Sequence, residues 1–98
     1  MAAVEWSVPA FAQLESLPTS VAFDIVRRVD LLESFPELGA RLTGQPRLAD
    51  CHQLIVERKY RVIYEFDSNL DIVWILAVQR CRQKLPSSRD LNRARRQT

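Results

Sequence analysis

From Asp71 to Val78 the chain is apolar on both sides, with Ile72, Trp74, Leu76 and Val78 alternating with Val73, Ile75 and Ala77. Successive side chains of a strand point to opposite faces, so this pattern predicts a central strand covered above and below. The preceding segment, Arg58 to Phe66, reads as its hairpin partner. There Tyr60, Val62, Tyr64 and Phe66 form one apolar stripe, and Lys59 and Arg61 share the opposite face. Asp67-Ser68-Asn69 supplies the turn between the two strands.

The rest of the chain must cover that sheet. Val4, Trp6 and Val8 predict a short strand closed by Pro9, and Phe11, Leu14 and Leu17 recur at helical spacing. Pro18 suits the first turn of a second helix, which carries Val21, Ile25, Val29 and Leu32 and stops at Pro36. Glu37 to Asp50, with Gly39, Gly44 and Pro46, reads as a loop pinned by Leu38, Leu42 and Leu48. Cys51 to Glu57 is rich in β-formers and turns back near Arg58. The order is β-α-α-β-β-β, an α+β domain in which a helical hairpin packs on an antiparallel sheet. Residues 1–86 form the domain, and 87–98 read as a basic tail with no core to join, either a frayed helix from Asp90 to Arg96 or disordered.

Ninety-eight residues allow one domain, which on folding hides about 60 to 65% of its extended surface. The net charge of +2 conceals an asymmetry. Residues 1–50 hold four Arg against seven Asp/Glu, a net of −3, and residues 51–98 hold ten Lys/Arg against five Asp/Glu, a net of +5. Such a C-terminal half offers a docking surface to something negative, or simply a solvated basic tail. Two cysteines make no disulfide framework, and reduced thiols are expected at Cys51 and Cys81. No apolar leader opens the chain and no membrane span is visible, so a cytoplasmic address is expected.

Several chemistries lack their parts. His52 is the only histidine, neither cysteine belongs to a CxxC pair, and no metal site is expected. His52 and Cys51 are adjacent in a strand and turn to opposite faces, which argues against a thiol–imidazole dyad. Neither glycine opens a phosphate loop, and no cofactor is expected. What remains is the cationic set Arg58, Lys59, Arg61, Arg80, Arg82 and Lys84. An arginine held by a strand beside further cations is what an anion-binding surface needs, whether for RNA, DNA or an acidic protein. Cations that stabilise a pentavalent phosphate can also drive RNA cleavage by the RNA's own 2′-hydroxyl. The plainer alternatives are solvated turn residues at Arg58 and Lys59, and an Arg61 ion pair with Glu57 or Glu65.

The pattern resembles the RelE/ParE superfamily of bacterial toxins from type II toxin–antitoxin systems. The resemblance runs from Trp6 to about Pro86 and rests on several segments taken together. These are Phe11 with Leu14 and Leu17-Pro18, the Pro36 to Gly44 loop, Leu54-Ile55-Val56, Tyr60-Arg61-Val62-Ile63-Tyr64, and Ile75-Leu76-Ala77-Val78 leading into Arg80 and Arg82. It implies a small basic toxin neutralised by a cognate antitoxin. RelE-like members cut mRNA on the ribosome with strand lysines and arginines and often a C-terminal tyrosine or histidine. Here only Arg61 matches, because Gln53 and Ile55 stand where lysines would and no tyrosine follows Tyr64. ParE-like members inhibit DNA gyrase without hydrolysis, and the resemblance implies that activity slightly ahead of mRNA cleavage. Under it, Arg58, Lys59, Arg61, Arg80, Arg82 and Lys84 bind target or antitoxin. Under the RNase alternative, Arg61 and Arg80 contact the scissile phosphate and His52 or Lys59 carries the proton. A third reading is a non-toxic nucleic-acid-binding or interaction module.

Overall fold

The doubly apolar strand lies inside the sheet, as its pattern requires. The structure is a computed structural model that describes residues 1–97. Its elements are β1 (Ala3–Trp6), α1 (Val8–Glu15), α2 (Thr19–Asp30), β2 (Ala40–Arg41), β3 (Cys51–Val56), β4 (Tyr60–Asp67), β5 (Ile72–Arg80) and α3 (Ser88–Arg96), with single 3-10 turns at Leu31–Glu33 and Pro46–Leu48. The strand order is β1-β5-β4-β3-β2. The antiparallel meander β3–β4–β5 is as expected, but β1 runs parallel to β5, so the sheet is mixed. Two helices and the whole meander separate β1 from β5 in sequence, and no tight turn constrains their direction.

Pro9 opens α1 rather than closing β1. Ser7 caps the helix, its Oγ accepting from Ala10 N at 3.1 Å, and a proline in the first turn loses no helical hydrogen bond. α1 then continues the work of β1 along β5. Ser7 N donates to Ile75 O at 2.9 Å, and Gln13 Oε1 accepts from Val78 N at 2.7 Å, so backbone that the short β1 leaves uncovered is still paired.

Two cores flank the sheet. Ala10, Leu14, Ile25, Val29 and Leu32 of the helical hairpin pack on Leu54, Val56, Tyr60, Val62, Tyr64, Val73, Ile75 and Val78. The opposite face gathers Leu42, Leu48, Cys51, Ile63, Leu76, Ala77, Leu91 and Ala94. The strict alternation expected in β5 is broken by a bulge. Ile63 pairs with Ala77 and Tyr64 with Ile75, so Leu76 is the extra residue and both Leu76 and Ala77 face the second core.

The C-terminal segment departs most from expectation. It has a core to join: Leu91 and Ala94 are buried against β5 and the 42–51 loop. Burying one leucine contributes about 2 kcal/mol. The helix is also capped at both levels, with Ser87 Oγ accepting from Asp90 N at 3.1 Å and Asp90 Oδ2 accepting from Ser87 N at 3.2 Å. Those backbone and hydroxyl donors hold the Asp90 carboxyl below its ordinary range. In the 37–50 segment, Leu42 and Leu48 are buried, whereas Leu38 is exposed.

Candidate functional site: a cationic groove

The three-residue turn between β3 and β4 puts Glu57 and Arg58 at φ 54° and 58°, both in the left-handed region. Lys59 N donates to Val56 O at 3.2 Å to close it. Across β4, Tyr60 pairs with Arg80, and Cys81 N donates to Lys59 O at 2.8 Å, which holds the chain after β5 against the hairpin. The result is a groove of about 380 Å³ lined by Arg58, Lys59, Tyr60, Arg80, Cys81 and Arg82. Its walls carry four cations and no carboxylate or imidazole. A strained, non-glycine turn beside a cation cluster is a common setting for a binding surface.

Arg61 stands next to this groove without lining it. It shares a row with Ile55 and Gln79, one step from the Tyr60–Arg80 row, and alternation turns it to the other face of the sheet. Its Nε donates to Gln79 Oε1 at 2.7 Å and its Nη2 donates to Gln83 O. Gln79 Nε2 in turn donates to Lys84 O at 3.1 Å, and Arg80 N donates to Gln83 Oε1 at 2.8 Å. Arg61 therefore clamps the Arg80–Lys84 turn that presents the groove cations. The ion pair weighed for it with Glu57 or Glu65 is absent among the described residues. Glu65 is held by Arg95, and the Glu57 carboxyl is pushed up by its hydrogen bond with Asp24. Lys84 contributes its carbonyl to this network, and its side chain does not line the groove.

His52 lies elsewhere. Four residues of β3, roughly 13 Å, separate it from Val56 at the groove end. It is 7% exposed and stacked on Tyr64 at 5.2 Å, and burial followed by the charge of Arg41 lowers its pKa. Of the named proton carriers, only Lys59 stands in the groove. Tyr60, Gln79 and Gln83 belong to the site or its support and were not singled out from sequence. The Gln79 register follows from the hairpin offset once the strands are paired, whereas Gln83 acts from a turn that carries no periodic signal. Cys51 and Cys81 are both free thiols. Among the described residues no group of three or more His, Cys, Asp or Glu is arranged to hold a metal ion, and no helix is long and apolar enough to cross a membrane.

The sequence matches the family model described as ParE toxin of type II toxin–antitoxin system, parDE, over residues 4–85. The chain belongs to the ParE toxin family. The match spans everything from β1 to the end of the groove-forming turn. No match was found among curated protein sequences. Solved structures agree with the assignment. The toxin–antitoxin complex RelBE2 from Mycobacterium tuberculosis matches with a TM-score of 0.69 at 25% identity, covering 81% of this chain and 96% of that one. The intact Escherichia coli RelBE complex matches at 0.71 and 18% identity, covering 85% and 100%. The archaeal RelE–RelB complex of Pyrococcus horikoshii OT3 matches at 0.63 and 22% identity, covering 85% and 98%. At those lower identities the likeness concerns the fold. This ParE-family chain is thus a toxin of a type II toxin–antitoxin system with the α+β architecture shared by the RelE structures.

Proposed function

We propose that this toxin arrests growth in the bacterial cytoplasm by binding DNA gyrase through the cationic groove, without hydrolysing a substrate, and that a cognate antitoxin neutralises it. The observation that carries this reading is the groove's composition: Arg58, Lys59, Arg80 and Arg82 surround a space with no imidazole or carboxylate. Such a site holds an anionic surface by charge and hydrogen bonds and lacks the imidazole that most often moves a proton in catalysis. The antitoxin is supported by the solved relatives, which are toxin–antitoxin complexes, and by an apolar groove between α1 and α2. Leu14, Leu17, Ala22, Phe23 and Val26 line that groove, with Phe23 64% exposed, a surface that suits a protein partner.

Ribosome-dependent mRNA cleavage is the alternative. It is favoured by Lys59 and Tyr60 standing together in the groove, where a cation and a phenol could share proton transfer. It is weakened by Arg61, whose donors are already engaged, and by the distance of His52. Supercoiling by purified gyrase separates the readings. The expected result is inhibition by the wild-type chain and none by the Arg80→Glu/Arg82→Glu variant. Full gyrase activity with cleavage of mRNA on translating ribosomes would overturn the gyrase reading.

A further inference from the structure

The outer face of α3 carries a row of cations that the fold does not use. Leu91 and Ala94, each 1% exposed, turn the inner face of the helix to the second core, and Arg95 is held by Glu65. At about 3.6 residues per turn, Arg89, Arg93 and Arg96 fall in one narrow stripe on the side opposite Leu91 and Ala94. All three are exposed and make no ion pair or side-chain hydrogen bond among the described residues. The one carboxylate of the helix, Asp90, is turned back to cap it, its Oδ2 accepting from Ser87 N at 3.2 Å. None of the three arginines lines the cationic groove.

Helix stability does not account for the row. Arg93 and Arg96 lie in the last turn, where the helix dipole favours a cation, but Arg89 is the second residue of the helix, at the positive end of that dipole. Arg89 and Arg93 are also four positions apart, a spacing at which like charges destabilise a helix. Every exposed residue of α3 is polar, so a protein or lipid partner would find no apolar surface to bury there. Attraction to this face rests on charge and hydrogen bonds. Those suffice for a nucleic acid, whose duplex carries one negative charge per about 1.7 Å of axis. With a rise of about 1.5 Å per residue the row is about 10 Å long, the span of several phosphates.

We propose that the face of α3 formed by Arg89, Arg93 and Arg96 binds the phosphate backbone of duplex DNA, independently of base sequence. The forked donors of guanidinium groups match phosphate oxygens. The Ser87 cap, the seating of Leu91 and Ala94, and the Glu65–Arg95 pair hold the helix in place, so the row meets the backbone without first ordering a tail. This surface is separate from the gyrase reading and stands whether or not that reading holds.

The test is the anisotropy of a fluorescently labelled, mixed-sequence DNA duplex titrated with the full chain between about 50 and 200 mM sodium chloride. Three phosphate contacts predict a slope of log K against log salt of about −2.7. Arg89→Gln, Arg93→Gln and Arg96→Gln should each flatten that slope by about 0.9. Each replaced side chain is exposed, so thermal midpoints should stay close to that of wild type. Arg28→Gln removes one exposed charge from α2, on the other face of the sheet, and should leave the slope unchanged. No binding to the duplex, a slope unaltered by the three α3 substitutions, or equal flattening by Arg28→Gln would overturn the proposal. So would binding to poly-glutamate or to phosphatidylserine vesicles as tight as to the duplex, which would mark an acidic protein or a membrane as the occupant.

Discussion

Glu65 and Arg95 form a two-pronged ion pair, Oε1 accepting from Nε at 2.8 Å and Oε2 from Nη2 at 2.9 Å, which joins α3 to β4 across thirty positions of sequence. The pair is partly exposed, with side-chain accessibilities of 37% for Arg95 and 19% for Glu65, so solvent screening limits its worth to about 1 kcal/mol. Beneath α3 lies Cys51, whose thiol is pushed up to about 11 mainly by burial and then by the charge of Glu65. Arg95→Ala should cost about 1 kcal/mol and make α3 open more often. With an aromatic disulfide reagent at neutral pH, Cys81 should react first and Cys51 slowly, and only Cys51 should speed up in the variant. An unchanged Cys51 rate would mean that the Glu65–Arg95 pair does not hold α3 closed.

Stability should fall between neutral pH and pH 5.5 through His52. Its folded-state pKa lies below the ordinary 6.5 because burial and Arg41 oppose the charged ring. The folded chain therefore binds its proton later than the unfolded chain does. The contribution is fully present above 6.5 and is lost as pH falls through the folded value. Urea midpoints at pH 7.5 and 5.5 should differ for wild type and differ less for His52→Phe, which keeps a ring against Tyr64. An equal difference in both proteins would assign the acid sensitivity to other groups.

Gly39 has no room for a side chain. A Cβ there would stand 2.6 Å from the Gln53 carbonyl oxygen and 2.9 Å from the Tyr64 ring. One of those neighbours is backbone and the other is a fully buried tyrosine, so neither can yield easily. Gly39→Ala should destabilise the fold by about 2 kcal/mol, measured by equilibrium unfolding. A near-neutral result would show that the Gly39–Tyr64 contact is loose.

Arg58 allows charge to be separated from fold. Its φ of 58° is costly for a residue with a Cβ and free for glycine. Arg58→Gly should leave stability unchanged or raise it by about 1 kcal/mol. It should also weaken growth inhibition, since one of the four groove cations is gone. Full toxicity in a stably folded Arg58→Gly protein would remove Arg58 from the binding surface.

The parts of this fold that sequence made legible are those where one element carries its own pattern. β5 announced itself by being apolar on both faces, and α2 by Val21, Ile25 and Val29, with Leu32 continuing the stripe into the 3-10 turn after it. α3 stayed hidden because its buried face is only Leu91 and Ala94 in a stretch dense with arginine, and polarity outweighed two apolar positions one turn apart. The capping box at Ser87 and Asp90 was the available signal. Direction and register are pairwise properties, so neither the parallel β1 nor the bulge at Leu76 had a mark in any single segment. The same limit applied to the site. Charge singled out Arg58, Lys59, Arg80 and Arg82, but that Arg61 is engaged by Gln79 and Gln83 while Lys59 lines the groove depends on how the strands pair. The separation of His52 from the groove likewise became visible only with β3 paired.

The most direct test is pulse labelling of DNA and protein synthesis in bacteria after inducing this chain alone, beside the Arg80→Glu/Arg82→Glu variant. An early fall in DNA synthesis with the wild type, and none with the variant, is the predicted result. A fall in protein synthesis first would contradict gyrase as the target, and equal inhibition by the variant would contradict the groove as the surface that binds it.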